Sequence, residues 1–251
     1  MEAYLKVLQG FQLAQSFSKE RLFLAEKIAN KAISLDPSYP AAYHLLAYAL
    51  HRQVLIGASR SPRETNQLSI INVEKAIALD NSYVDAHAFR GWLYVATRQH
   101  EKGVEKAEYA LSLNPNSVEV YYLLGLVVNF AGRCEEAIKI YEKGLRLSPI
   151  ATADYLLVMG IAYNDCGRYE ESISLLKNAI HLEPDSMWSH FWLAYCYLKL
   201  GREPDARSEA AEVMRINPKF SLELPKKLDL RKDRAFLEKV QDSIRKAELF
   251  D

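Results

Sequence analysis

The 251-residue chain lacks the features that point to nucleic acid, membranes or export. Lys and Arg total 32, as do Asp and Glu, so no overall positive field favours nucleic acid or an anionic membrane. No apolar run approaches the roughly 18 residues of a membrane span, and the N-terminal stretch is too polar for a signal peptide. We therefore expect a cytoplasmic protein without nucleic-acid partners or direct membrane insertion.

Cysteine is scarce as well. The three cysteines, Cys134, Cys166 and Cys196, lie 32 and 30 residues apart. An odd number at these separations matches neither a disulfide framework nor a zinc site. We expect buried thiols in a reducing compartment.

Motifs of catalysis are missing. The sequence has no HExxH, no GxSxG, no CxxC and no glycine-rich phosphate loop. His87 and His190 occupy equivalent packing positions, and His44 and His51 lie on one helix face, where we expect a partly exposed polar pair. The sequence therefore predicts a non-catalytic protein that needs no cofactor or metal.

What the sequence does contain is an internal repeat. The stretch LNPNSVEVYYLLG at 113–125 has counterparts in LDPSYPAAYHLLA, LDNSYVDAHAFRG, LSPIATADYLLVMG and LEPDSMWSHFWLA. The equivalent positions Pro37, Asn81, Pro115, Pro149, Pro184 and Pro218 are separated by 44, 34, 34, 35 and 34 residues. A period of about 34 residues indicates a helical hairpin repeat, and the longer first step is one period with a ten-residue insertion.

Within each unit, two helical patterns are separated by a repeated breaker. The breakers are Gly132-Arg133, Gly167-Arg168 and Gly201-Arg202, each followed by acidic residues. Glycine supplies the left-handed conformation that ends a helix, and carboxylates in the next first turn suit the helix dipole. Every unit is therefore predicted to be helix, tight turn, helix.

The order of these residues resembles the tetratricopeptide repeat family. The third unit carries the resemblance in Tyr121, Leu124, Gly125, Ala137, Tyr141 and Pro149. Arg90, Gly103 and Gly144 depart from the family pattern. The resemblance implies an all-α, right-handed superhelical solenoid of helix-turn-helix units with a C-terminal capping helix.

We expect one continuous solenoid over 1–251. The predicted units are about 1–39, 40–83 with an insertion near 54–64, 84–117, 118–151, 152–186 and 187–220, followed by a linker and capping helix at 221–251. Ser61 as the N-cap, Pro62 in the first turn and Glu64 reaching back to the cap predict a helix start after the insertion. We interpret the insertion itself as a loop rather than a contact site.

The chain also resembles the repeat arrays at the C-termini of bacterial class III adenylate and guanylate cyclases. That similarity rests on the first unit YLKVLQGFQLAQ, the insertion, the phrase RQHEKGVEKAEYAL and the tail from NPKFSLE to RKAEL. It implies a regulatory or docking module in signal transduction. Nothing in the chain resembles a cyclase catalytic domain.

In the tetratricopeptide family the first helix of each unit lines a concave groove, which implies a partner-binding surface here. On this register the groove residues are Tyr48, His51, Phe89, Trp92, Tyr122, Leu126, Asn129, Phe130, Asn164, Trp188, Phe191, Trp192 and Tyr195. This mainly aromatic set favours an apolar helix or extended segment of a partner protein. Packing against an adjacent helix explains any single member equally well.

Two alternatives concern the ends of the chain. The run from Lys226 to Arg234 is interpreted as a solvated linker, and DRAFLEKVQDSIRKAELF as a helix that seals the last apolar face, with docking or dimerisation as the rival role. A second functional hypothesis is a self-assembling scaffold, a homo-oligomer in which Leu5, Leu8 and Phe11 enter the groove of a neighbouring copy.

Overall fold

The computed structural model describes residues 1–15 and 18–250, without the side chains of residues 227 and 228. These described residues form α-helices and no β-strand. The helices are α1 (Glu2–Ala14), α2 (Lys19–Leu35), α3 (Pro40–Leu55), α4 (Pro62–Leu79), α5 (Val84–Ala96), α6 (His100–Leu113), α7 (Val118–Phe130), α8 (Cys134–Leu147), α9 (Ala153–Asp165), α10 (Tyr169–Leu182), α11 (Met187–Lys199), α12 (Glu203–Ile216), α13 (Glu223–Leu228) and α14 (Ala235–Lys246). The predicted all-α fold of helix-turn-helix pairs is confirmed.

Local sequence signals account for where the helices begin. The hydroxyls of Ser117 and Thr152 accept the backbone N–H groups of Val120 and Tyr155 at 3.3 and 3.2 Å, which caps α7 and α9. Helix α4 begins at Pro62, as predicted, but Ser61 makes no side-chain cap hydrogen bond. That part of the prediction was wrong.

The turn inside a helix pair uses a left-handed residue. Gly132, Gly167 and Gly201 have φ values of 87°, 76° and 71°, which confirms their predicted role as helix breakers. In the turn between α5 and α6 the equivalent residue is Arg98, which adopts φ 63° without being glycine. A side chain at this position therefore needs a separate explanation.

The chain divides into two compact units. Unit 1 comprises Met1–Tyr94 and Glu105–Pro115, and unit 2 comprises Val95–Val104 and Asn116–Asp251. In unit 1, Leu22, Leu45 and small alanines of α2 and α3 form a buried cluster. A second cluster packs Phe89 and Leu93 of α5 on Val73 of α4.

In unit 2, the last helix packs on the final helix pair. Leu237, Val240 and Ile244 of α14 share a buried cluster with Phe191 and Leu193 of α11. Their spacing along α14 puts them on one helix face. The predicted C-terminal capping helix is confirmed, and the polar outer face of α14 replaces the apolar surface that α11 would otherwise expose.

Two departures from the repeat pattern have packing explanations. A Cβ atom at Gly144 would collide with the Tyr155 hydroxyl, which donates a 2.8 Å hydrogen bond to the Tyr141 carbonyl. Arg90 forms an ion pair with Glu74, and its guanidinium lies 3.9 Å from the Tyr94 ring centroid. Both substitutions therefore fit the contacts around them.

The cysteine prediction needs correction. Cys134 at the start of α8 and Cys166 after α9 form a disulfide, with Cα atoms 5.7 Å apart. Their separation of 32 residues did not suggest a pair, because only the packing of successive helix pairs brings the start of α8 close to the end of α9. Cys196 is a buried free thiol, as expected. Within the described part of the chain, no helix has the length and apolar character needed to cross a membrane.

Candidate peptide-binding site

The predicted groove residues of unit 1 contact one another. The Phe89 ring centroid lies 5.4 Å from that of Tyr48 and 5.9 Å from that of His51, and the Trp92 indole N–H donates to His51 Nε2 at 2.8 Å. Phe89 and His51 are buried, whereas Tyr48 and Trp92 are half-buried. Of these four residues, only Tyr48 and Trp92 have exposed side-chain area that a partner can contact, and their role in binding stays a prediction.

His44 and His51 do not form the predicted partly exposed pair, because both are buried. His44 Nδ1 lies 3.1 Å from the Tyr83 hydroxyl, and His51 Nδ1 lies 3.3 Å from Asn66 Oδ1. Since His51 Nε2 accepts from Trp92, the proton resides on Nδ1. Burial lowers the pKa of each of the two histidines to about 4, so both are neutral at neutral pH.

The predicted groove residues of unit 2 fall into two groups. Tyr122, Leu126, Phe130 and Trp188 are half-buried, whereas the buried group comprises Asn129, Asn164, Phe191, Trp192 and Tyr195. Phe191 is fully buried, with the rings of Phe220 and Phe250 at 5.7 and 6.1 Å. The α11 residues of this group do not line an open groove, because C-terminal residues cover α11, and the amides of Asn129 and Asn164 donate to Asp165 and Cys196. Whether any of these residues meets a partner stays a prediction.

The chain between α13 and α14 packs against α7, α9 and α11, which are the first helices of the helix pairs in unit 2. We call Asp229–Lys232 the 229–232 segment. Arg98 Nη2 donates to the Asp229 carbonyl at 2.7 Å and Arg98 Nη1 to the Arg231 carbonyl at 2.8 Å. His100 Nε2 donates to the Leu230 carbonyl at 2.7 Å, and the Lys232 N–H donates to the carbonyl of Phe130 at 2.8 Å. The segment's main chain is therefore bound as a peptide ligand would be.

The side chain of Arg231 enters a buried site between helices. Its Nε and Nη2 donate to the two carboxylate oxygens of Asp165 at 3.1 and 3.2 Å, and Asn129 Nδ2 donates to the same carboxylate at 2.8 Å. The guanidinium lies 5.4 Å from the ring centroid of Phe130 and 5.1 Å from that of Trp192. We call Asp165, Asn129, Phe130 and Trp192 the arginine site.

Electrostatics favour a cation in this site. Burial raises the pKa of the Asp165 carboxyl, while the opposing charge of Arg231 and the hydrogen bonds from Arg231 and Asn129 favour its ionised form. Phe130 and Asp165 are the last residues of α7 and α9, so the negative ends of two helix dipoles lie near the guanidinium. The site can hold a planar cation through paired hydrogen bonds and ring contacts.

The predicted solvated linker was therefore wrong at its centre. Asp229 and Arg231 are each only 7% exposed, although Lys226 and Lys232 are exposed. From composition alone, the Lys226–Arg234 run was predicted to be solvated. The residues that it contacts in the fold are distant in sequence, so composition could not reveal them. Asp229 also contributes, since its carboxylate accepts from Arg231 Nη1 at 2.8 Å.

The sequence analysis did not predict four residues of the contact between the 229–232 segment and the helices: Arg98, His100, Asp165 and Arg231. One signal was available, because Arg98 stands where three other turns have glycine. Among the described residues no group of three or more His, Cys, Asp or Glu could hold a metal ion.

Family comparisons match the helix pairs. Residues 90–151 match a model described as tetratricopeptide repeat, and residues 160–201 match a second model described as TPR repeat. These two stretches of the chain are therefore similar to tetratricopeptide repeats. The link to nucleotide cyclases is not part of these matches and remains a prediction.

Similar proteins share the repeats at low identity. Anaphase-promoting complex subunit 3 of Schizosaccharomyces pombe is 26% identical over 136 residues, which is 54% of this chain but only 19% of that protein. The crystal structure of the APC/C hetero-tetramer Cut9-Hcn1 gives a TM-score of 0.68 at 16% identity, over 91% of this chain and 40% of that chain. YrrB, described as a TPR protein with an unusual peptide-binding site, gives a TM-score of 0.51 at 18% identity, over 79% of this chain and 97% of that chain. The two structures show a common fold.

Proposed function

We propose that this chain is a non-catalytic protein-protein interaction module that binds an extended segment of a partner protein on the first helices of unit 2. The observation that carries the proposal is the 229–232 segment, whose main chain is held by Arg98, His100 and Phe130. Tetratricopeptide-repeat proteins generally mediate protein interactions and scaffolding, which supports this role.

The apolar part of the predicted surface belongs to the same proposal. Tyr122 and Leu126 of α7 and Trp188 of α11 are half-buried, so they retain area for apolar side chains of a partner. The peptide-binding site named for YrrB supports the use of such repeats for peptides. A signalling role, which rests on the resemblance to bacterial cyclase arrays, and a cytoplasmic location, as expected from the sequence, are also part of the proposal.

Site-directed photo-crosslinking tests the proposed surface. A photoreactive amino acid replaces Leu126, which is half-buried on α7, and in a matched control it replaces Leu147, which is 44% exposed at the end of α8. We expect the Leu126 position to crosslink to a partner in source cells that the Leu147 position does not capture. The same partner, purified, should bind the wild-type chain and lose affinity for Leu126→Arg. Identical crosslinked products at both positions would refute the proposal.

Self-assembly remains the second candidate because of an exposed apolar face on α1. Tyr4, Leu5 and Leu8 are 50%, 57% and 47% exposed, and they lie on one side of the helix. Phe11, the third predicted contact residue, is half-buried, and its ring packs on His44 at 5.2 Å. We expect Leu5→Lys with Leu8→Lys to remove any concentration-dependent oligomer in sedimentation velocity. A monomer for the wild-type chain at every concentration would exclude this candidate.

A further inference from the structure

We infer that the arginine site recognises an arginine-bearing extended segment of the partner protein, and that the 229–232 segment occupies it as an internal competitor. This inference rests on the proposed function, because it specifies what the partner presents to the same surface. The partner chemistry is an extended peptide with an aspartate two residues before an arginine, as in Asp229 and Arg231.

Main-chain recognition makes the site usable by a segment from another chain. The carbonyls of Asp229, Leu230 and Arg231 each accept from Arg98 or His100, and the N–H of Lys232 donates to Phe130. Four main-chain groups in succession are therefore bound by atoms that do not depend on the side chains of the segment. Any extended peptide can supply the same groups.

Side-chain recognition selects arginine. Two guanidinium nitrogens of Arg231 meet two oxygens of Asp165, and the guanidinium faces the rings of Phe130 and Trp192. A lysine ammonium cannot make this planar bidentate pair or stack in the same way. The Asp229 carboxylate accepts from a third guanidinium nitrogen, so the aspartate of the segment holds the arginine in its binding conformation.

The turn residue Arg98 also indicates a site built for peptide carbonyls. A residue other than glycine in the left-handed region costs on the order of 1 kcal/mol. The equivalent turns avoid this cost with Gly132, Gly167 and Gly201. The two hydrogen bonds from Arg98 to the 229–232 segment are the contacts that only an arginine here provides.

For a partner to bind, the 229–232 segment must leave without unfolding its neighbours. Its main anchor is a buried ion pair, in which desolvation offsets most of the Coulomb attraction. Leu230 is only half-buried, and α14 has its own buried contacts through Leu237, Val240 and Ile244, besides the Phe236 ring 5.1 Å from the Arg231 guanidinium. Asn129 Oδ1 is buried and has no hydrogen-bond partner among the described residues, so it is free to accept a donor from an incoming segment.

The test uses the full chain and a fluorescent peptide with the sequence of residues 226–234. One protein variant carries Asp229→Gly, Leu230→Ser, Arg231→Gly and Lys232→Ser, which empties the site and retains α14. We expect saturable binding in fluorescence anisotropy to this variant, and binding at least about tenfold weaker to the wild-type chain, where the internal segment competes at high effective concentration. A peptide with Arg231→Lys should bind the variant at least about tenfold more weakly.

Two controls keep the result interpretable. Adding Asp165→Asn to the four-substitution variant should abolish peptide binding while circular dichroism still shows helix. If the four substitutions reduce helical content, Arg231→Met is the replacement variant, because it removes only the arginine side chain.

Three results would overturn the inference. The first is no peptide binding to a folded variant, and the second is equal binding to wild type and variant. The third is a wild-type dimer that dissociates on Arg231→Met, because a second copy of the chain would then be the occupant. Failure of the proposed function is a separate result, because a partner crosslinked at Leu126 is detected without the peptide.

Discussion

The guanidinium of Arg231 is paired with both carboxylate oxygens of Asp165, at 3.1 and 3.2 Å, and the two residues are 66 positions apart. Each side chain is about a tenth exposed at 9%, so neither charge is solvated in the folded chain. This contact places the C-terminal segment on α9. The surface that the sequence predicted to bind a partner is therefore occupied by the chain itself.

Breaking this pair should destabilise unit 2. Arg231→Met leaves Asp165 as a buried carboxylate with Asn129 as its remaining donor, and such a change costs about 3–5 kcal/mol. The double variant Asp165→Asn with Arg231→Met should be more stable than Arg231→Met alone, because only the Asp229 carboxylate then remains buried without its guanidinium partner. Urea unfolding at neutral pH measures all four members of the cycle. Additive losses would contradict a direct interaction.

Replacing Arg98 separates backbone strain from binding of the segment. Arg98→Gly and Arg98→Ala both lose the hydrogen bonds to the Asp229 and Arg231 carbonyls, but only glycine also removes the strain of φ 63°. We expect the glycine variant to be more stable than the alanine variant by about 1 kcal/mol. In both, hydrogen exchange at the Lys232 amide should accelerate. An unchanged exchange rate would show that Arg98 does not hold the segment.

Acid should destabilise unit 1 through its buried histidines. The pKa of His44 and of His51 is lowered from 6.5 to about 4 by burial, so the unfolded chain binds protons that the folded chain excludes. Above about pH 6.5 the two histidines therefore do not lower the free energy of unfolding. As the pH falls toward 4, that free energy declines by up to about 3 kcal/mol per histidine.

Unfolding curves across this pH range provide the measurement. His51→Gln should flatten this pH dependence. A pH dependence that His51→Gln leaves unaltered would show that His51 does not titrate in this way.

Thiol counting tests the disulfide. The denatured chain should react with one equivalent of thiol reagent without reductant, from Cys196, and with three after reduction. Replacing Cys134 and Cys166 together by serine should lower the free energy of unfolding by about 3–4 kcal/mol through loss of the loop constraint. Three reactive thiols in the chain isolated without reductant would support the reducing compartment expected from the sequence.

The sequence predicted the helix pairs because their signals are local. Gly132, Gly167 and Gly201, each followed by arginine and acidic residues, mark the turn between two helical patterns, and the apolar spacing on each side follows the helical period within one repeat. The C-terminal helix followed from the same spacing at Leu237, Val240 and Ile244. These features need no knowledge of distant residues.

The arginine site could not be predicted, because its residues meet only after the chain has folded. Arg231 contacts Asp165 across 66 residues, and Arg98 contacts the Asp229 carbonyl across 131. Periodicity reports which face of a helix is apolar, but it does not report which distant segment lies on that face. The sequence by itself determined the repeated helix pairs, and only the tertiary structure decided that the chain's own Asp229–Lys232 occupies the first helices of unit 2.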